Sequence, residues 1–204
     1  MFGDVGTNPF GFKEIEFQKC CNINPTKPNL NLDVNVTFLP MELIGTDGTI
    51  KTTMIKPYKE LKHTGYTYFE DNDVIFAKIT PCMENGKGAI AINLENGIGF
   101  GSTEYHILRP ECGISNSYWI YYLTADSKFR ENAAKSMTGA SGHRRVSEDY
   151  IKKYIVSLPP INLQNEFADY AKTCDKLKFE GLHFFLGDGF FARGIDRNLI
   201  RVKK

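Results

Sequence analysis

The decisive stretch opens at Phe69-Glu70-Asp71-Asn72-Asp73-Val74-Ile75-Phe76-Ala77-Lys78-Ile79-Thr80-Pro81. It continues through Glu84-Asn85-Gly86-Lys87-Gly88-Ala89 and Gly101-Ser102-Thr103-Glu104-Tyr105-His106-Ile107-Leu108-Arg109-Pro110. Val74 to Thr80 reads as a strand, stopped where Pro81 offers no N–H to a ladder. Asn85-Gly86 marks a tight turn, because both residues tolerate positive φ. Gly88 to Asn93 and Thr103 to Leu108 continue the β pattern.

Working upstream, residues 33–39 place Val34, Val36 and Phe38 on one face, the alternation of a half-buried strand, and Pro40 ends it. Asp47-Gly48 is a turn signal, after which Thr49 to Met54 reads as a second strand. Residues 1–12 are turn-rich, with Gly3, Gly6, Pro9 and Gly11. Downstream the character changes. Ser117 to Ala134 lacks Pro and Gly and carries Trp119, Tyr122, Leu123 and Phe129 at roughly helical spacing, with a break expected near Ser127. Ser147 before Glu148 and Asp149 is a helix start, since the hydroxyl caps and the carboxylates favour the positive dipole end. Tyr154 to Leu158 returns to strand. Pro159-Pro160 then leads into a helix near Asn162, where a missing N–H costs nothing.

Taken in order, the residues from Phe69 to Pro110 are followed by a helical block through Phe129-Arg130. The loop Thr138-Gly139-Ala140-Ser141-Gly142-His143-Arg144-Arg145-Val146 and the run Leu158-Pro159-Pro160-Ile161-Asn162-Leu163-Gln164 complete the string. It closely resembles a target-recognition domain of the specificity (S) subunit of type I restriction–modification systems. The resemblance implies an α/β fold of the α+β kind. That fold is a mixed, β-rich recognition domain with several short helices, followed by the start of a long conserved-region helix. The chain then divides into a turn-rich entry segment (1–12), a DNA target-recognition domain (13–158), a coupling helix (159–180) and, departing from the family, an atypical basic tail (181–204). The implied role is sequence-specific recognition of double-stranded DNA, with no catalysis and no cofactor. The implied partners are methyltransferase (M) subunits and, through them, restriction (R) subunits. A full subunit carries two recognition domains and reads a split site, so this chain is expected to be one half or a shortened product, the alternative being a truncated, non-functional remnant that acts only as a structural subunit.

Two segments are candidates for DNA contact. In Thr138 to Arg145, glycines at 139 and 142 let backbone approach a phosphate, Thr138 and Ser141 offer hydroxyls, and His143, Arg144 and Arg145 offer ring nitrogens and guanidinium groups. The alternative is a solvated loop whose arginines pair with Glu148 or Asp149. In 51–68, Lys56, Lys59 and Lys62 interleave with Tyr58, Tyr66 and Tyr68, which suits phosphate contact and stacking as well as an ordinary exposed loop. Lys78 and Lys87 flank Thr80-Pro81 and can join the same face.

Leu163, Phe167, Tyr170, Cys174 and Leu177 recur at intervals of four and three, a heptad seam. Pattern alone allows a helix packed on its own domain. The resemblance favours a seam against a partner helix, including a homodimer. After Gly181 the pattern collapses into glycines and aromatics with a basic end, read as a loosely packed or truncated tail.

Composition sets limits. A net charge of +1 requires any DNA-binding charge to be concentrated on one face. Five cysteines without a Cys-x-x-Cys pair, and four scattered histidines, argue against structural zinc and a disulfide framework and suit a reduced, cytoplasmic protein. No apolar run reaches membrane-spanning length. Leu158-Pro159-Pro160-Ile161 lacks the amide and aromatic of an Asn-Pro-Pro-Tyr methyltransferase motif. Gly101-Ser102-Thr103-Glu104 is read as a tight turn, because it lacks a nucleophile elbow. Asp73, Glu84 and Lys87 loosely suggest a metal-nuclease cluster, the alternative enzyme reading, but their spacing is wrong for it.

Overall fold

Proline, asparagine and glycine cut the first 110 residues into short strands. The structure, a computed structural model, describes Phe2 and residues 8–179; the expected basic tail (181–204) lies outside the described residues. In chain order the elements are β1 (Lys13–Glu16), β2 (Cys21–Ile23), β3 (Asn35–Leu39), β4 (Met54–Pro57), α1 (Tyr58–Leu61) and β5 (Thr67–Glu70). Then come β6 (Val74–Ala77), β7 (Gly88–Ile90), β8 (Ile98–Gly101) and β9 (Tyr105–Pro110). The chain closes with α2 (Ser117–Ala125), α3 (Ser127–Ser136), α4 (Glu148–Lys153), β10 (Ile155–Leu158) and α5 (Ile161–Phe179). The mixed α+β expectation holds.

Two four-stranded sheets carry the domain. One runs β2-β9-β6-β7 and is antiparallel throughout; the other runs β4-β3-β8-β5 with β3 and β8 parallel. The first strand and the last pair antiparallel, from Lys13 opposite Leu158 to Glu16 opposite Ile155, so the chain enters and leaves this part at one place. Residues up to Asp169 form one compact unit, and Tyr170 onward falls in a second, whose described part is the end of α5.

Strand alternation distributes the core into layers. In β6, Val74 and Phe76 face a cluster with Phe17, Trp119, Ile120, Phe129 and Ile151, while Ile75 points the other way. There Ile75 meets Leu39, Phe69, Tyr105 and Ile107, the core shared by the two sheets. A third cluster, Val36, Phe38, Tyr58, Leu61, Tyr68 and Phe100, covers the far face of the second sheet. Burial of β6 on both faces explains its continuous apolar run. Gly99 and Gly101 leave the space that the rings of Phe69 and Tyr105 fill, since a Cβ at either would fall inside those rings.

Several expectations shift. The strand placed at 49–54 begins only at Met54. Residues 44–50 instead close a tight turn, in which the Asp47 carboxylate accepts from the Thr49 N–H and hydroxyl and Ile44 bridges Ile50. The basic-aromatic segment contains β4, α1 and the start of β5 rather than open loop. The break read near Ser127 is present and falls at Asp126, whose carboxylate caps α3 by accepting from Lys128 and Phe129. Ser147 caps α4 as expected, accepting from the Tyr150 N–H.

Candidate nucleic-acid interface

The loop after α3 is a closed hairpin. Thr138 and Arg145 exchange both backbone hydrogen bonds, at 3.1 and 2.8 Å, and the His143 N–H donates to the Ala140 carbonyl at 2.9 Å. Gly139 has φ +123°, and a Cβ there would lie 2.8 Å from the His143 carbonyl oxygen. Only glycine closes the hairpin at that point without strain. The hairpin docks edge-on against the chain leaving β6: the Thr80 N–H donates to Arg144 and the Val146 N–H to Lys78, both at 2.9 Å. The Lys78 N–H in turn donates to the Glu104 carbonyl. Thus Lys78, Thr80, Thr138, Gly139, Ser141, His143, Arg144 and Arg145 come together, with the Gly101–Glu104 turn beside them. In that turn the Ser102 hydroxyl accepts from the Glu104 N–H, as a tight turn requires.

The arginines pair differently from the sequence alternative. Arg144 Nη2 donates to Glu84 Oε1 at 2.9 Å. Arg145 Nε and Nη2 grip the Glu104 carboxylate at 2.6–3.2 Å, and Nη1 donates to the His143 carbonyl at 2.8 Å. Neither is seen on Glu148, which holds Lys152 and Asn24 instead. Both arginine side chains stay about two-fifths exposed, 42% and 43%. Hydrogen bonding from Arg145 holds the Glu104 carboxyl below the usual carboxylate range. Half-burial lowers the Lys78 ammonium, an effect opposed by Glu104 and Glu148.

Behind the hairpin sits buried His106. Its Nε2 lies 2.9 Å from the Val146 carbonyl, an acceptor, so this nitrogen carries the proton. Nδ1 then accepts from Asn24, 3.1 Å away, whose amide also donates to Glu148. Desolvation lowers the His106 pKa and keeps the ring neutral. A second rivet is Arg130, 6% exposed. It donates to the carbonyls of Thr124, Met83, Gly86 and Lys87 and lies 4.5 Å from the Phe76 ring centre. It thereby holds the 81–87 turn that carries Glu84; burial brings its pKa down to about 10.

The other candidates fall in two places. Lys56 lies 4.8 Å over the Phe38 ring, and Tyr66 packs on that ring at 4.8 Å. Lys59 is an exposed partner of Asp33, and Lys62 is exposed in the following loop. Tyr66 leads into β5, whose Thr67 pairs with Gly101, so Tyr66 lies near the 101–104 turn, while Lys56 sits on β4 at the opposite edge of the sheet. Lys87 turns away and donates to the Met41 carbonyl at 2.9 Å.

The nuclease alternative loses its residues. Asp73 is buried and held by Arg109 at 2.8 Å through two nitrogens, Glu84 serves Arg144, and Lys87 serves Met41. Among the described residues no group of His, Cys, Asp or Glu side chains is arranged to hold a metal. No described helix is long and apolar enough to cross a membrane.

On α5, Gln164, Ala168 and Ala171 are the buried positions among the described residues, each one step from the expected seam. Gln164 accepts from the Asn116 N–H and donates to Ile114 and Pro159. Leu163 and Cys174 are half-buried, and Tyr170 is 54% exposed. Phe167 packs edge-on against Phe2 and Tyr122 at 4.9 and 5.1 Å. The Leu177 side chain lies outside the described residues.

Comparison with known proteins bears on the family and the fold. The family model for the type I restriction modification DNA specificity domain matches residues 11–181. The type I restriction enzyme EcoAI specificity subunit of Escherichia coli is 34% identical over 180 residues, and its EcoEI counterpart 33%. Each alignment covers 85% of this chain and 30% of the relative, so the chain spans about a third of their length. The crystal structure of the HsdS subunit from Thermoanaerobacter tengcongensis superposes with TM-score 0.65 at 16% identity, covering 84% of this chain and 44% of that one. A chain from a structure addressing complex assembly and conformational transition of the type I R-M system gives 0.64 at 16%, covering 87% and 45%. With most of its length matched by that model and by two specificity subunits at a third identity, the chain belongs to the type I restriction–modification DNA specificity family.

Proposed function

We propose that this chain reads double-stranded DNA as one target-recognition domain of a type I specificity subunit. It recognises one half of a split site, directs methyltransferase subunits there and, through them, restriction subunits, and performs no chemistry itself. The observation that carries the reading is the docked hairpin, which gathers two half-exposed arginines, Lys78, Thr80 and two hydroxylated residues on one rim. The rim sets three cations, Arg144, Arg145 and Lys78, beside the carboxylates of Glu84 and Glu104, and leaves both guanidinium groups partly open to a ligand. Tyr66 adds to the rim at the 101–104 turn, Lys56 and Lys62 remain further candidates for DNA contact, and Lys87 takes no direct part.

In this reading residues 13–158 are the recognition domain and 159–180 the coupling helix. The exposed side of that helix, including Tyr170, meets a partner helix, and a second copy of the chain there restores two reading heads. The setting is the cytoplasm, where unpaired thiols stay reduced. Selection of bound duplexes from a randomised DNA library by the full chain tests the reading. A recurrent short motif is expected. Uniform recovery of all sequences at low salt and at high salt would contradict it.

A further inference from the structure

Resting on the DNA-reading role proposed above, we propose that Arg145, held by Glu104, is the guanine-reading residue of the hairpin, and that Arg144 contacts a backbone phosphate. The sequence presents the two as equivalent neighbours; their surroundings are not. An arginine has five N–H donors in a planar fork. Three of Arg145's are engaged: Nε and one on Nη2 by Glu104, and one on Nη1 by the His143 carbonyl. One remains on each terminal nitrogen, the pair that matches guanine O6 and N7.

The supports of this fork are themselves fixed. Arg145 is bridged by backbone to both Thr138 and Ile79. The Glu104 N–H donates to the Ser102 hydroxyl oxygen, and the Glu104 carbonyl accepts from the Lys78 N–H. A fork ordered before binding loses little freedom when it meets a base edge, which favours selectivity. Arg144 has a single side-chain contact, to Glu84 on an exposed turn, which a phosphate oxygen replaces readily.

Both arginines carry a carboxylate partner, but they hold it differently. Glu84 meets Arg144 through one bond and can be displaced, whereas Glu104 grips Arg145 through Nε and Nη2 and stays at close range of any phosphate brought there. A guanine edge carries no net charge, so the carboxylate orients and polarises the fork without repelling the ligand. Glu104 is therefore a positioning residue. Its removal has an unusual signature: discrimination falls while affinity for unrelated DNA is kept or rises, because a negative charge has left the rim.

The test repeats the library selection with the full chain as wild type, Arg145→Lys, Glu104→Gln and Arg144→Lys, after matching their thermal melting. Anisotropy titrations on the enriched duplex follow, with each guanine in turn replaced by 7-deazaguanine, which lacks N7. For the wild type, one such replacement is expected to weaken binding by about tenfold. Arg145→Lys and Glu104→Gln should both lose that penalty and the same motif position, while binding of unrelated duplex persists. Arg144→Lys, which keeps the charge, should retain both. If Arg145→Lys and Glu104→Gln keep the motif and the penalty, this assignment is overturned and DNA reading by the chain stands. If the wild type enriches no motif, the proposed function fails and takes the assignment with it.

Discussion

Asp73 is 1% exposed and holds two nitrogens of Arg109 and the Glu70 N–H. Glu70 completes the group, taking Arg109 at 3.0 Å and the Tyr68 hydroxyl. Asp73→Ala strips the core of this network and leaves Arg109 with Glu70 alone, so we expect a loss of about 3 kcal/mol in urea unfolding, the low end for a broken buried pair. An unchanged midpoint and slope would show that the pair is not structural. His106 gives a pH dependence. Its native pKa is depressed below the ordinary 6.5, so the unfolded chain binds the proton first. Stability is fully present above that value and declines as pH falls below it toward the lower native value. Lys78, Glu104 and Glu148 are the charged groups around the ring, and the two carboxyls, both held low, titrate only in more acidic solution. Thermal melting between pH 7.5 and 5.5 should therefore show a decline that His106→Phe removes. A decline of equal size in the variant would place its origin elsewhere.

The hairpin and α5 carry the predictions at the level of elements. Gly139→Val puts a side chain at φ +123° against the His143 carbonyl, a local strain of about 1–3 kcal/mol. The Arg145 amide, bonded to Thr138 at 2.8 Å, should then exchange with solvent faster while core amides keep their protection. Equal protection there would mean that the hairpin does not need glycine. On α5 two substitutions separate two faces. Phe167→Asp, against Phe2 and Tyr122, should lower stability by about 1–3 kcal/mol. Tyr170→Asp, on an exposed side chain, should leave melting unchanged and weaken self-association or capture of methyltransferase subunits. The strands at β3, β6 and β9 were legible because Val36, Phe38, Val74 and Ile107 keep strand periodicity between prolines and turns. β8 was not, because Gly99 and Gly101 sit where apolar side chains mark a strand, their places taken by rings from Phe69 and Tyr105. β5 hid among basic and aromatic residues for the same reason that Lys56 does: its neighbours are supplied by other strands.

At the scale of the recognition unit, two sheets back to back bring the ends of β6, β8 and β9 to one rim, where His106 pins the hairpin and Arg130 holds the 81–87 turn beside it. The order of motifs let the family and the Thr138–Arg145 loop be read from sequence. The carboxylates that hold the arginines could not be, because Glu84 and Glu104 lie 60 and 41 residues away along the chain. Sequence neighbours Glu148 and Asp149 were the nearer candidates, and only tertiary folding decides between them. A domain that recognises without reacting should transfer no methyl group and make no cut when the pure chain meets duplex DNA, magnesium and S-adenosylmethionine. Turnover that survives repurification and is abolished by a substitution in this chain would end that view. The most direct test of the account is the affinity of the full chain for duplex DNA as a function of salt, for wild type and for Arg144→Ala with Arg145→Ala. The double variant should bind more weakly, lose site preference and give a log-affinity against log-salt slope flatter by about one, the mark of one lost phosphate contact; affinity, slope and preference all unchanged would move the interface to Lys56, Lys62 and Tyr66.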